Sequence, residues 1–176
     1  SHSSASRCQV GVSRWRSSSR IVAGRSEPAE TLRAIEAAGR KAVNIKADLS
    51  STEPVQRVVD EALAGLGRVD VLVNNAGIIR RGPLAELPLA EWNALLAVNL
   101  TGYLLCAQAF GAQMIAAGRG GCIVNVASIC GHHALPQGGA YSPGKSALIM
   151  LSQLLALELA EHGIRCNSVS PGFVQT

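Results

Sequence analysis

The nine residues VDVLVNNAG, at positions 69–77, indicate the fold class of this 176-residue chain. A valine-rich apolar run ends there at two asparagines and a glycine, which is typical of a short strand covered on both faces. Similar apolar runs lie on either side of it, and stretches with helical periodicity separate them. Because alternating strands and helices form βαβ units, the sequence predicts an α/β fold with a parallel sheet.

The same alternation sets the boundaries of the elements after residue 20. The predicted strands are residues 20–23, 41–47, 69–74, 122–127 and 165–169. The predicted helices are residues 28–38, 53–66, 87–117, with a break near 99–102, and 140–162. The last helix carries apolar side chains on more than one face, which indicates that it packs on a second subunit as well as on the sheet.

Residues 1–20 do not follow this pattern. They contain eight serines and four arginines and no acidic residue, without strand alternation or a helical apolar stripe. We therefore divide the chain into a Ser/Arg-rich segment, residues 1–20, expected to be disordered or non-native, and a catalytic domain, residues 21–176. A transit peptide has a similar composition. It would precede a complete domain, however, whereas this segment runs into the second half of a strand, which favours a non-native or frame-shifted start.

The charge distribution argues against binding to nucleic acid. Four of the 16 basic side chains fall in residues 1–20, and the remaining 156 residues carry 12 basic and 12 acidic side chains. Only 3% of the residues are aromatic, whereas nucleic-acid surfaces combine clustered Lys and Arg with stacking aromatics. No uninterrupted apolar run approaches the ~18 residues of a membrane span, so a soluble protein is expected.

The cysteine and histidine positions indicate a reducing compartment and no metal site. The five cysteines form no CxxC pair, and an odd number suits the cytoplasm better than a disulfide framework. His132 and His133 are adjacent, so they cannot easily point at one metal ion, and no other His or Cys lies at ligand spacing.

Tyr141 and Lys145 are the candidates for proton-transfer chemistry. They lie four residues apart at the start of a predicted helix, so both side chains are on one face. A phenol titrates near ~10, and a neighbouring ammonium is expected to lower that value. Ser128 follows the strand that ends at Ala127, so its hydroxyl is expected at the same carboxyl edge of the sheet, where α/β proteins bind ligands.

The surrounding motifs make this pattern specific, because YxxxK alone occurs by chance in many helices. Asn74-Asn-Ala-Gly77, Val98-Asn-Leu100 and Ser170-Pro-Gly172 accompany it in the same chain. In order and spacing the sequence resembles the short-chain dehydrogenase/reductase family, classical type, from about residue 21 onward. That resemblance implies a Rossmann-like, doubly wound parallel sheet, from which the first strand, its glycine-rich turn and the C-terminal elements are expected to be missing.

The resemblance also implies roles for the residues at the expected catalytic centre. Tyr141 would be the general acid/base, and Ser128 would orient the reacting carbonyl or alcohol. Lys145 would hold the nicotinamide ribose and lower the pKa of Tyr141. Asn99 would hold a water that links Lys145 to bulk solvent. From the residues alone, Asn99 could also be a polar helix breaker.

Further positions would bind a nicotinamide nucleotide, NAD(P). By the resemblance, Asp48 would bond the adenine ring, and Asn75, Ala76 and Gly77 would line the cofactor. Pro171 and Gly172 would lie beside the nicotinamide amide, together with Tyr141 and Lys145. Arg25, near the end of a strand, suits a 2′-phosphate and favours NADP. Asp48 could instead cap the next helix, and Asn75 could be a turn residue.

Two departures from the family pattern put the expected activity in question. Pro143-Gly144 lies inside YxxxK, and glycine costs ~1 kcal/mol in a helix interior. No TGxxxGxG turn, which would place a pyrophosphate over a helix N-terminus, precedes Ile21. Residues 1–20 therefore offer no phosphate-binding group that can be assigned.

Two functional hypotheses follow. The first is an NAD(P)-dependent oxidoreductase that interconverts a secondary alcohol and a ketone on a small polyol or sugar acid, as a homo-oligomer, dimer or tetramer. The sequence looks most like gluconate and 2-deoxygluconate dehydrogenases. Arg80 and Arg81 could attract a carboxylate or could be a solvated loop pair, and His132 or His133 could line the pocket or belong to a loop. The second is a truncated, non-catalytic fragment that at most associates with intact homologues.

Overall fold

Six strands form one sheet in the part of the chain that the computed structural model describes, residues 10–13, 20–24, 29–48 and 53–173. The strands are β1 (Val10–Ser13), β2 (Arg20–Gly24), β3 (Ala42–Lys46), β4 (Val71–Asn74), β5 (Gly121–Val126) and β6 (Ile164–Val169). Their order in the sheet is β3-β2-β1-β4-β5-β6. This is the strand order of a Rossmann-like doubly wound fold.

β1 lies in residues 1–20, a segment for which no strand was predicted. Val10–Ser13 pairs with both β2 and β4 at the centre of the sheet. β1 also runs antiparallel to both neighbours, so the sheet is mixed rather than parallel. Its last residue, Ser13, lies beside Val71 at the amino end of β4. The chain that follows β1 therefore leaves from the edge opposite to the one where the parallel strands end.

Five α-helices connect the strands of the described part. They are α1 (Ala29–Ala37), α2 (Glu53–Leu66), α3 (Leu89–Leu96), α4 (Gly102–Ala117) and α5 (Tyr141–Glu158). The chain moves outward from β2 to β3 and then back across the sheet to β4, β5 and β6. Because such crossovers are right-handed, α1 covers one face and the later helices cover the other. There α2 packs on α4, and α5 packs on β5 and β6.

α3 and α4 form one continuous helix from Leu89 to Ala117, because a π-helical turn at Ala97–Thr101 joins them instead of a break. By length and hydropathy this helix could span a membrane, although no long uninterrupted apolar run was found in the sequence. Half of its most apolar window is buried inside the protein. Tyr103, Phe110 and Met114 belong to the main hydrophobic core. The helix is therefore accounted for as a core helix of a soluble fold.

The parallel strands bring three loops together. Asn74 of β4 pairs with Asn125 of β5, and Val126 of β5 pairs with Val169 of β6, so these strands end at one edge. The segments that follow them, residues 75–79, 127–131 and 170–173, meet there. α5 begins at the same edge with Tyr141. This edge is where an open α/β sheet binds its ligand.

Candidate active site

A cleft of about 260 Å³ opens at this edge, between the three loops and the start of α5. Its lining residues are Asn75, Gly77, Ile78, Ile79, Val126, Ala127, Ser128, Tyr141, Lys145, Pro171 and Gly172. The three residues predicted to do the chemistry are therefore neighbours in one cleft. Four positions that the resemblance assigned to the cofactor line it with them.

Ser128 and Tyr141 face each other from the end of β5 and the start of α5. Ser128 is nearly buried, and its Oγ accepts a hydrogen bond of 3.2 Å from the Cys130 N–H. This bond caps the 3₁₀ turn Ile129–Gly131 and fixes the serine side chain. The Ser128 hydroxyl retains its own proton as a donor. Hydrogen bonding by this hydroxyl lowers the pKa of the nearby Tyr141 phenol, and the same donor could bond a substrate oxygen.

The Tyr141 pKa differs from the sequence expectation. Burial of the phenol raises the pKa above its usual value near 10, the bond from Ser128 partly offsets this, and the nearby Cys130 thiol adds to the rise. The Lys145 ammonium was expected to lower this pKa, but Lys145 Nζ lies 5.7 Å from the ring centroid. Desolvation of the phenolate outweighs the attraction. In this structure Tyr141 is a neutral phenol at pH 7 and a proton donor.

Lys145 is the most deeply buried charged side chain of the site, with 3% exposed. Burial lowers its pKa from 10.5 to about 8, so it is still mainly an ammonium at pH 7. Nζ donates a hydrogen bond of 2.6 Å to the carbonyl oxygen of Val126 and lies 5.2 Å from the centroid of the Tyr103 ring. An ammonium has three donors. The bond to Val126 leaves two of them for a ligand in the cleft.

Pro143 and Gly144, the departure inside YxxxK, have a structural explanation. Pro143 lies in the first turn of α5, where its missing N–H costs no helical hydrogen bond. Gly144 is buried against α3, and a Cβ on it would lie 3.2 Å from Leu96 Cδ2 and 3.8 Å from Leu95 Cδ2. The glycine thus permits close packing of α3 on α5 beside Lys145. That contact offsets the helix-propensity cost expected from the sequence.

Asn99 lies in the π-helical turn and is fully buried. Its amide clamps the chain after β4, since Nδ2 donates to the Ile78 carbonyl (2.8 Å) and Oδ1 accepts from the Ile78 N–H (2.9 Å). π-Helical turns occur often at functional sites. Asn99 therefore positions one wall of the cleft. Its predicted water-binding role stays a prediction, because the side chain is engaged with Ile78.

A buried polar network behind the cleft was missed by the sequence reasoning. Asn74 Nδ2 donates to Asn125 Oδ1 (2.9 Å), and Asn125 Nδ2 donates to Ser152 Oγ (2.9 Å). Ser152 Oγ donates in turn to the Leu148 carbonyl. The network joins β4 and β5 to α5 and fixes the helix that carries Tyr141 and Lys145. The available signal was the seven-residue spacing of Lys145 and Ser152, which places both on one helix face.

Two of the predicted cofactor residues, Ala76 and Asp48, are described and do not line the cleft. Ala76 is buried. Asp48 is exposed just beyond the end of β3, the strand furthest from the cleft, which is compatible with an adenine contact but does not establish one. Arg25 lies outside the described residues. These assignments remain predictions.

The histidines and the arginine pair lie near the cleft without lining it. His132 Nε2 and Ser170 Oγ form a hydrogen bond of 2.9 Å, and His133 is exposed. Arg80 and Arg81 are also exposed. Of the two alternatives for the histidines, pocket lining or an ordinary loop position, the cleft of this structure favours the loop position, since neither lines it.

The described residues fit the nicotinamide-ribose end of the expected cofactor. The two unused donors of Lys145 are suited to ribose hydroxyls, and Gly77 has no side chain to fill the space in front of them. A Cβ on Gly77 would lie 3.4 Å from Asn99 Oδ1 and 4.0 Å from Lys145 Nζ. β1 itself ends at the edge of the sheet opposite to the cleft.

Comparison with known proteins gives a consistent result. The family model for short chain dehydrogenase matches residues 17–176. An uncharacterised NAD-dependent oxidoreductase of Mycobacterium tuberculosis is 42% identical over 147 residues, 84% of this chain and 54% of that protein. The D-threitol dehydrogenase of Mycolicibacterium smegmatis is 43% identical over 129 residues, 73% of this chain and 49% of that protein.

A solved structure agrees with these relatives. The gluconate 5-dehydrogenase of Burkholderia cenocepacia, in complex with NADP and tartrate, has a TM-score of 0.81 and 35% identity, covering 89% of this chain and 62% of that one. The chain spans about half the length of the curated relatives described above. The family match begins after β1 and includes every residue that lines the cleft. The chain therefore belongs to the short chain dehydrogenase family.

Proposed function

We propose that the protein is an NAD(P)-dependent oxidoreductase that interconverts a secondary alcohol and a ketone. The observation that carries this proposal is the meeting of Ser128, Tyr141 and Lys145 in one cleft. The cleft combines the neutral phenol of Tyr141, the fixed hydroxyl of Ser128 and the buried ammonium of Lys145, which has two unused donors. Relatives with the same fold are named dehydrogenases or oxidoreductases.

In the proposed ketone reduction each side chain has a task. Ser128 donates a hydrogen bond to the substrate oxygen and holds it near the Tyr141 phenol. Tyr141, protonated at pH 7, then gives its proton to that oxygen as negative charge develops on it. Lys145 and the Pro171–Gly172 turn would hold the nicotinamide end of the cofactor, which supplies or accepts the hydride when bound. In alcohol oxidation Tyr141 must accept the proton, so its raised pKa makes oxidation faster at alkaline pH.

The proposed substrate is a small polyol or a sugar acid. Arg80 and Arg81 follow the loop after β4, and this loop is tied to the segment before α5 by a hydrogen bond of 3.1 Å from the Gly82 N–H to the Gln137 carbonyl. This bond keeps the chain after Arg80 and Arg81 near the segment that leads into α5, and their exposed guanidinium groups could attract a carboxylate there. A gluconate dehydrogenase and a threitol dehydrogenase among the relatives support both substrate classes.

Of the two cofactors, we favour NADP. The gluconate dehydrogenase structure holds NADP, and Arg25 is of the type that binds a 2′-phosphate. The mycobacterial relative named as NAD-dependent supports the opposite choice.

Fluorescence titration of the purified chain with NADPH and with NADH tests the proposal. We expect saturable binding of both, tighter for NADPH, and reduction of NADP on addition of gluconate or threitol. A preference for gluconate that disappears in the Arg80→Ala, Arg81→Ala double variant would support the carboxylate role. If neither NADPH nor NADH binds, the result would favour the alternative, a non-catalytic fragment that at most associates with intact homologues.

We further propose that the chain forms a homo-oligomer through α5. Met150, Leu154 and Leu157 are 56%, 48% and 76% exposed, and their spacing places them on one face of the helix. An apolar stripe of this kind marks a protein contact.

We also propose that the protein is located in the cytoplasm, where conditions are reducing. Four free cysteines among the described residues support this location, and cell fractionation tests it.

Sedimentation of Leu154→Glu tests this contact, because a carboxylate buried in an apolar interface is costly. The unchanged chain is expected to sediment as a dimer or larger species, and the variant as a monomer. Ala34→Glu is the matched control, since it adds the same charge to an exposed position of α1 on the other face of the sheet. A monomeric unchanged chain would contradict the proposal.

A further inference from the structure

The turn Ser170–Gly172 forms one wall of the cleft. Among the described strands, β6, which precedes the turn, pairs with β5. Pro171 and Gly172 line the cleft, and the next residue, Phe173, is 89% exposed. Within the described part of the chain, a backbone hydrogen bond from the Ile129 N–H to the Pro171 carbonyl (3.1 Å) docks the turn.

His132 supplies a second connection across the same gap. Its Nε2 lies 2.9 Å from Ser170 Oγ. An imidazole nitrogen and a hydroxyl can each donate or accept, so the bond forms with either tautomer. The two residues are 38 positions apart in the sequence and belong to different loops.

The His132 end of this connection is firmly placed. The backbone N–H of His132 donates to the Ile129 carbonyl (3.0 Å) and closes the 3₁₀ turn Ile129–Gly131. That turn sits directly on α5, because a Cβ on Gly131 would lie 2.9 Å from the backbone carbonyl of Lys145. His132 therefore contacts the Ser170–Gly172 turn from the end of a 3₁₀ turn that packs directly on α5, the helix with Tyr141 and Lys145.

From this geometry we infer that His132 and Ser170 are a positioning pair. Their hydrogen bond holds the Pro171–Gly172 turn at a fixed distance from Lys145 and Tyr141, so that the cleft keeps the width that a nicotinamide ring requires. The inference rests on the proposed function for its link to the cofactor. The docking of the turn can be measured without any cofactor.

The Ile129 amide provides that measurement, because its hydrogen bond is the one that docks the turn. In hydrogen exchange followed by NMR, His132→Ala and Ser170→Ala are each expected to speed exchange of the Ile129 amide about fivefold, the effect of losing one ordinary hydrogen bond. The Ala127 amide, bonded to Val169 at the end of the strand pair, is the internal reference and should not change. His133→Ala is the matched control. Unchanged exchange of Ile129 in both variants would overturn the inference.

Cofactor binding provides the second measurement. Both variants are expected to raise the Kd and the KM for NADPH about fivefold, because binding becomes weaker, while kcat at saturation stays the same. The double variant should be no worse than either single one, since the two residues act through one bond. Ser170→Thr keeps the hydroxyl and should restore the affinity. Faster Ile129 exchange with an unchanged Kd would overturn the link to the cofactor, whereas a parent chain that binds neither nucleotide would instead refute the proposed function.

Discussion

Replacing Tyr141 by phenylalanine is expected to lower turnover about 10²–10⁴-fold, the usual contribution of a positioned general acid. The substitution removes the phenolic proton and leaves the ring, so the cleft keeps its shape and the Kd for NADPH should change less than about twofold. Among the described residues that line the cleft, Tyr141 and Lys145 are the titratable ones, and the two unused donors of Lys145 are those proposed to hold the cofactor. Steady-state turnover and fluorescence titration on the same preparation give both quantities.

Ser142→Ala is the matched control for Tyr141→Phe. It also removes one hydroxyl from the first turn of α5, and the Ser142 hydroxyl is buried without a hydrogen-bond partner in the described structure. Turnover should therefore be unchanged in this variant. If Tyr141→Phe retained more than about a tenth of the parent turnover, general acid catalysis by Tyr141 would be refuted.

Replacing Lys145 by methionine is expected to stabilise the protein at pH 7 by about 2 kcal/mol and to abolish turnover. The lowered pKa shows that burial opposes the charged form of Lys145, and the drop from 10.5 to about 8 corresponds to about 3 kcal/mol. Losing the hydrogen bond to the Val126 carbonyl costs about 1 kcal/mol in return. Methionine fills a similar volume without a charge. This result would indicate that the site retains the lysine for its function at the expense of stability.

The pH dependence of this effect separates it from ordinary repacking. Lys145 releases its proton near pH 8 in the folded protein and near 10.5 in the unfolded chain, so between these values the unfolded chain binds more protons. The Lys145 contribution to the free energy of unfolding therefore rises with pH in this window. The advantage of Lys145→Met should be largest below pH 8 and should largely vanish by pH 10. Urea denaturation of both proteins at pH 7 and pH 10 measures it.

Lys46→Met serves as the control for the pH effect, because Lys46 is exposed at the end of β3. Its substitution should leave the difference in unfolding free energy between the two pH values the same as in the parent. A Lys145→Met variant less stable than the parent at pH 7 would show that the ammonium is a net stabilising group.

Sequence periodicity predicted the elements because it reports directly on burial. The helix expected at 53–66 coincides with α2, and four of the predicted strands lie within two residues of β3 to β6 at each end. β1 was missed because Val10–Ser13 is too short to show a pattern among serines and arginines. It becomes a strand through hydrogen bonds to β2 and β4, which are distant partners in the sequence.

The meeting of the three candidate catalytic residues in one cleft was predictable for a different reason. Tyr141 and Lys145 share one helix turn, and Ser128 follows a strand at the edge where ligands bind, so local spacing was enough to bring them together. Their protonation was not predictable in this way. The pKa of Tyr141 depends on how much protein surrounds the phenol, and burial reversed the shift that the neighbouring lysine had suggested.

By itself the sequence determined the α/β architecture, the identity of the three central residues and the edge of the sheet on which they meet. These follow from periodicities and spacings within one strand or helix. The tertiary structure alone decided the antiparallel β1, the clamp of Asn99 on Ile78, the support of α5 by Asn125 and the bond of His132 to Ser170. Each of these is a contact between segments far apart in the chain. Its geometry depends on how the helices pack on the sheet, and local sequence patterns carry no information about that packing.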